Sequence, residues 1–135
     1  MSQEDVEIVR SVFEASSRGD TEAVLAHYDL DVEWNAERTQ PGVGFGESYR
    51  GHDGLRRFFR QWREAWDNDE YELEELIDAG GTVVSVARQQ GRGRVSGAAI
   101  ARPITGVWTI REGKVVRVIW FPTREEALEA VGLRE

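Results

Sequence analysis

Glu75 and His27 are the residues of this sequence best suited to moving a proton. A general acid or base needs a titratable group in an apolar site, with its pKa drawn towards neutrality. Glu75 falls in a predicted strand, 71–78, joined to a second, 82–90, around Gly80-Gly81. That loop sets 77 opposite 84 and 75 opposite 86, so Tyr71, Leu73, Glu75 and Ile77 share a face with Val84, Val86 and Arg88. On so apolar a face a buried charge has to be paired, and the expected pair is Glu75 with Arg88 at one wall of a pocket. His27 lies late in a predicted helix beside Tyr28, from where it can point inward. His52 sits in a Gly-rich helix entry and reads as a capping or solvent-facing residue.

Other chemistries find less support. The chain has no cysteine, which excludes disulfides, thiol nucleophiles and thiolate metal sites. Two histidines far apart, without clustered carboxylates, make no metal site, and no cofactor is expected. Gly91-Arg92-Gly93-Arg94 lacks the following helix that a phosphate-cradling loop requires. The net charge of −8 repels phosphate backbones. Arg56, Arg60 and Arg63 share one helical face, opposite Leu55, Phe58, Phe59, Trp62 and Trp66, and read as a solvated surface. Nucleic acid is therefore not an expected partner. No apolar run is long enough to span a membrane. Met1-Ser2-Gln3-Glu4-Asp5 lacks the basic and apolar regions of a signal peptide, so a cytoplasmic location is expected.

The elements that must position these residues come in a telling order. Ser2 to Asp5 reads as a capping box before Val6, Val9, Val12 and Phe13 at helical spacing, and Gly19 ends that helix. Asp20 caps a second helix over 21–28, and a short strand covers 32–35. Residues 37–51 hold Pro41 and four glycines and read as a long, mobile loop, a lid or rim with Phe45 and Tyr49 as its contacts. Asp53 is expected to cap a third helix reaching 66. Further strands follow at 97–111, where Pro103 marks a bulge or an edge, and at 114–121. Glu112-Gly113 makes the hairpin turn between them. A short helix over 123–131 closes the chain. Helices followed by an antiparallel sheet make one α+β domain of 135 residues.

Tyr28-Asp29-Leu30-Asp31-Val32-Glu33-Trp34, Tyr49-Arg50-Gly51-His52-Asp53-Gly54-Leu55, and the closing hairpin followed by Arg124-Glu125-Glu126-Ala127-Leu128 together resemble the SnoaL-like branch of the NTF2-like (nuclear transport factor 2-like, ketosteroid isomerase-like) superfamily. The resemblance spans nearly the whole chain. It implies a cone-shaped fold: three N-terminal helices packed on a curved antiparallel sheet around an apolar pocket, with a short C-terminal helix. It does not fix the chemistry, since steroid isomerases, polyketide cyclases, dehydratases and epoxide hydrolases share the fold. Aligned with the isomerising relatives, Val12, Ala36 and Thr105 stand near the positions of their tyrosine, basic aspartate and protonated aspartate. A one-residue gap would move Asn35 or Glu37 into the base position. The Arg-x-Asp pattern of the epoxide-hydrolysing relatives fails, because Gln89 and Gln90 follow Arg88.

Strand parity divides the closing hairpin into two apolar faces. Thr105, Val107, Thr109, Val116, Val118 and Trp120 fall on one, with Trp108, Ile110, Val115, Arg117, Ile119 and Phe121 on the other. The family offset turns the Trp120 face inward. It leaves the face with Trp108, Ile119 and Phe121 for a homodimer, the usual assembly of the family. The expected pocket lining is Trp34, Phe45, Tyr49, Phe59, Trp62, Arg88, Thr105, Val118 and Trp120. Such a lining suits a hydrophobic, ring-containing ligand. The expected function is binding of such a molecule without isomerase residues. The alternatives are a cyclase-, isomerase- or dehydratase-type enzyme working through Glu75 or His27, and a dimeric interaction module.

Overall fold

Val6, Val9 and Val12 recur on one face of helix α1 (Ser2–Ser17), and Val9 and Val12 are buried by it. The helix unwinds at Gly19, and the Asp20 carboxylate accepts from Ala23 N at 3.1 Å to start α2 (Thr21–Ala26). The computed structural model describes residues 2–37 and 48–133. Within them follow β1 (Tyr28–Asn35), β2 (Ser48–Arg50), α3 (Gly51–Ala65), β3 (Trp66–Asp78), β4 (Thr82–Gly93), β5 (Ala99–Arg111), β6 (Lys114–Phe121) and α4 (Arg124–Ala130). Strand β1 begins earlier than its sequence pattern suggested, directly after the short helix α2.

Asp53 does not cap α3. That helix starts at Gly51 after an extended Arg50 with no side-chain cap, and Asp53 sits in the first turn, paired with Arg56 at 3.1 Å. Leu55, Phe58 and Trp62 form the buried stripe of α3, each contributing about 1.5–3 kcal/mol by leaving water. None of the described helices is long and apolar enough to cross a membrane.

The six strands form one sheet in the order β2-β1-β6-β5-β4-β3. All neighbours are antiparallel except β1 and β6, which run parallel. Helices α1, α2 and α3 cover one face, around Trp108, Trp120, Val115 and Val118. Helix α4 covers part of the other, around Val84, Val107, Phe121 and Leu128. Thr123 caps α4 by accepting from Glu126 N at 3.1 Å. Residues 99–104 pair with β4 but not with β6, which places Pro103 at a locally open edge that needs no backbone N–H.

Two β-bulges overturn the parity expected for the inner face. In β3 the register moves from Glu75↔Val86 to Leu73↔Ala87, leaving Glu74 unpaired. Tyr71 and Leu73 therefore turn inward with Ala87, while Glu75 and Ile77 stay on the α4 side with Val84 and Val86. In the closing hairpin Thr109↔Arg117 is followed by Ile110↔Val115, so that Val116 is the extra residue. Trp108 consequently joins Trp120 and Val118 inside, only 1% exposed, and cannot belong to an outer docking face. Thr105 moves the opposite way, outward between Val86 and Phe121. Of the three residues expected on a partner-facing surface, Ile119 and Phe121 remain outside, packed with α4.

The hairpin turn itself is as expected. Glu112 and Gly113 both have positive φ, 51° and 77°, the conformation of a two-residue turn matched to strand twist. Glutamate is a poor occupant of that region, so Glu112→Gly is expected to stabilise the protein by about 0.5–1 kcal/mol, read as a raised urea midpoint with an unchanged slope.

Candidate functional site

Between the inner sheet face and the helices lies a cavity of about 430 Å³, a volume typical of small-molecule sites. Its wall is a continuous train of rings. Trp66 packs on Trp62 (5.6 Å between centroids), Trp62 on Phe58 (5.7 Å), Phe58 on Trp34 (4.4 Å) and Trp34 on Trp120 (5.9 Å). From there it continues to Trp108 (5.6 Å), Phe13 (5.9 Å) and Tyr71 (6.4 Å). All eight line the cavity, together with Val12, Val24, Tyr28 and Phe59. Tilted and edge-to-face contacts of this kind fix each ring through its neighbours, so the wall is preorganised rather than fluid.

The polar groups fall into two sets. The rim comprises exposed Ser16 to Asp20 and half-buried Thr21 at the α1–α2 junction, exposed Arg63 at the end of α3, and exposed Arg94 just after β4. Arg63 Nη1 donates to Thr21 Oγ1 at 3.0 Å, and Arg94 Nε donates to Arg63 O at 2.7 Å, tying three elements together at the mouth. Arg94 also pairs with Asp67. Deeper in stand two phenols. Tyr28 is buried, and burial pushes its pKa well above the ordinary value, while the Trp34 indole N–H donating to it pulls the other way. Tyr71 Oη accepts from Gln89 Nε2 at 3.1 Å, and Gln89 Oε1 accepts from Arg102 Nε at 2.9 Å. Burial lowers the pKa of Arg102, with the nearby Tyr71 acting in the opposite direction.

Tyr28 supplies a pH prediction. Its folded-state pKa lies above the ordinary value of 10.0. The folded state therefore holds the proton more tightly than the unfolded state. Its contribution is complete below the unfolded pKa and is lost as pH climbs past it. Melting temperatures measured from roughly pH 8 to 11 are expected to fall at the alkaline end, and less steeply in Tyr28→Phe.

The residues singled out from sequence are dispersed. Trp34, Phe59, Trp62 and Trp120 line the cavity. Tyr49 lies behind Trp34, in β2, where it packs on Trp34 and Phe58 at 6.0 and 5.0 Å beneath the guanidinium of Arg57. Val118 is inward but enclosed by the core. Phe45, and most of the expected lid, lie outside the described residues.

The expected Glu75–Arg88 pair does not form. Both residues are on the outer side, and Glu75 accepts from Arg124 at 3.1 and 3.3 Å, joining α4 to β3. Thr105 also faces outward, its buried hydroxyl without a hydrogen-bond partner among the described residues. His27 ends α2 away from the cavity, and His52 Nε2 lies 2.9 Å from Tyr28 O.

At the isomerase-equivalent positions, Val12 lines the cavity and Ala36 is buried outside it. Asn35 accepts from Glu37 N, Glu37 accepts from Ser48 Oγ at 2.6 Å, and neither lines the cavity. Among the described residues Asp20 is the one carboxylate of the lining, and it is engaged in capping. No group of three or more His, Asp or Glu among the described residues is arranged to hold a metal ion.

Sequence reasoning did not select Tyr71, Trp108 or Arg63 for the lining. Parity had placed Tyr71 on the inner face, where it lies, without naming it as a lining residue, and the bulge at Val116 concealed Trp108. For Arg63 the helical pattern gave only an exposed face, and contact with the α1–α2 junction depends on tertiary packing.

Residues 9–118 match the SnoaL-like domain family. The chain belongs to the SnoaL-like family. An NTF2-like protein from Burkholderia thailandensis is 32% identical over 87% of this chain and 88% of its own, with a TM-score of 0.78. An NTF2-like protein of unknown function from Burkholderia pseudomallei is 23% identical, covering 96% and 98%, with a TM-score of 0.80. TerC, co-crystallised with polyporic acid, is 21% identical, covering 95% and 98%, with a TM-score of 0.79. The last two likenesses show the fold alone. No curated protein matches the sequence. What this SnoaL-like chain shares with these structures is the α+β fold. The site has to be judged on its own side chains.

Proposed function

We propose that this SnoaL-like protein binds a hydrophobic, ring-containing small molecule inside the cone. The observation that carries this reading is the unbroken train of eight rings around a cavity of about 430 Å³. A core with no ligand to hold would collapse onto such rings, because every unfilled contact forfeits dispersion energy. Flat rings satisfy these walls by stacking and edge contact, and the phenols of Tyr28 and Tyr71 provide the few polar atoms that orient a guest. TerC, of the same fold, has been co-crystallised with polyporic acid, which is consistent with this use of the cone.

The neutral probe N-phenylnaphthylamine tests it. Saturable binding, with enhanced probe emission and quenched tryptophan fluorescence, is the expected result. Affinity should weaken at least about tenfold in Trp62→Ala, which removes a wall ring. No saturable binding would overturn the reading.

A second reading is an enzyme that polarises a carbonyl. It is favoured by the Arg102–Gln89–Tyr71 chain, which directs positive charge towards a phenol at the cavity wall. With Glu75 and His27 outside the cavity, the capping carboxylate of Asp20 is the one acidic side chain of the lining among the described residues. Turnover of a polycyclic ketone, abolished in Tyr71→Phe without loss of probe binding, would establish it.

A further inference from the structure

The described residues at the mouth of the cavity are richer in positive charge than the chain as a whole. The chain has a net charge of −8, yet among the described residues the lining includes three arginines, Arg18, Arg63 and Arg94, against one carboxylate, Asp20. Arg94 is neutralised by Asp67. Asp20 is turned to Ala23 N as the cap of α2. Arg63 is held differently: its Nη1 donates to a hydroxyl, Thr21 Oγ1, and no carboxylate among the described residues lies in ion-pair range of Arg63 or Arg18. The Arg56 of the same helix contrasts with it, bonded to both Glu22 and Asp53. A guanidinium presents five N–H donors in a planar fork. The bond to Thr21 uses one and orients the rest, so the fork at the mouth is positioned but uncompensated.

We propose that the ligand of this cavity is an amphiphile with an acidic group, a carboxylate, sulfonate or acidic enol, seated on Arg63 with Arg18 beside it while its rings occupy the aromatic chamber. This rests on the binding function proposed above. An anionic head at the mouth gains charge-assisted hydrogen bonds without being buried among apolar rings, avoiding the desolvation that a deep charge would suffer. A cationic ligand would be attracted by the rings but repelled at the entrance.

A matched pair of probes separates the two proposals. N-phenylnaphthylamine is neutral, and anilinonaphthalene sulfonate is the same ring system with a sulfonate. The sulfonate is expected to bind about fivefold to tenfold more tightly in low salt, and its advantage should shrink as sodium chloride is raised. Arg63→Gln should reduce the ratio of sulfonate to neutral-probe affinity to within about twofold, and Arg63→Lys should restore part of it. Arg111→Gln, at the distant hairpin, should leave both affinities as they are. Equal or tighter binding of the neutral probe by the wild-type protein, with no salt effect on the ratio, would overturn this inference and leave the pocket reading standing. Binding of neither probe would overturn both.

Discussion

Trp108→Ala is expected to cost about 3–5 kcal/mol of folding stability, a large part of what a domain of this size possesses. Trp108 is 1% exposed and meets Phe13, Tyr28 and Trp120 at centroid distances of 5.9, 6.3 and 5.6 Å. Its indole N–H donates to Ser85 Oγ at 2.9 Å, and Ser85 is itself fully buried. Alanine would remove the ring from the middle of the train, widen an existing cavity and leave a buried hydroxyl without its donor. Urea denaturation should show a strongly lowered midpoint with little change in slope. Trp108→Phe keeps a ring but not the N–H, so an intermediate loss is expected. Equal losses in the two variants would mean that the hydrogen bond, not the packing, dominates.

Gly106→Ala is expected to destabilise the protein by about 1–3 kcal/mol although it adds a single carbon. A Cβ at this position would lie 2.8 Å from Trp120 Cζ3 and 2.9 Å from Trp108 Nε1. Gly106 pairs across the sheet with Trp120, and Trp108 follows two residues later on the same face. Glycine here lets two indoles meet over the backbone. Trp108 is anchored by Ser85, so the strain should fall on Trp120, which would be driven towards the chamber. Weaker N-phenylnaphthylamine binding and altered near-ultraviolet circular dichroism should accompany the loss of stability. Full retention of both would show that the indoles can move apart without consequence.

The elements themselves were legible because each has a local cause. Valine spacing marked α1, Asp20 marked the start of α2, and Glu112-Gly113 marked the final turn. The aromatic stripe of α3 also announced Phe59 and Trp62 as wall residues. Register was not legible. A period-two pattern assigns every side chain on a strand to a face from a single anchor, and one unpaired residue inverts the assignment beyond it. Glu74 and Val116 are such residues. Neither is a glycine or otherwise conspicuous, because a bulge is settled by the packing of both sheet faces against different helices. From this inversion came the exchange of Thr105 for Trp108 inside the cone and the displacement of Glu75 to α4. The asymmetry at the mouth was equally hidden. Arg56 and Arg63 both lie on the exposed side of α3, but Arg56 pairs with Asp53 of its own helix and Glu22 of α2, whereas α2 offers Arg63 a threonine hydroxyl.

The parallel pairing of β1 with β6 bears on the order in which this protein can assemble. Lys114 Nζ reaches back to Ala26 O across 88 positions of chain, and Val115 N donates to His27 O at the same junction. During synthesis the first three helices and β1 emerge first, carrying Phe13, Tyr28, Trp34, Phe58 and Trp62, while the strand that shelters them does not yet exist. Contacts so distant in sequence slow folding, commonly to milliseconds or longer. Until the last hairpin arrives, those rings face solvent or one another, the state in which chains associate wrongly or are held by chaperones. The chamber thus cannot close until β6 has been made.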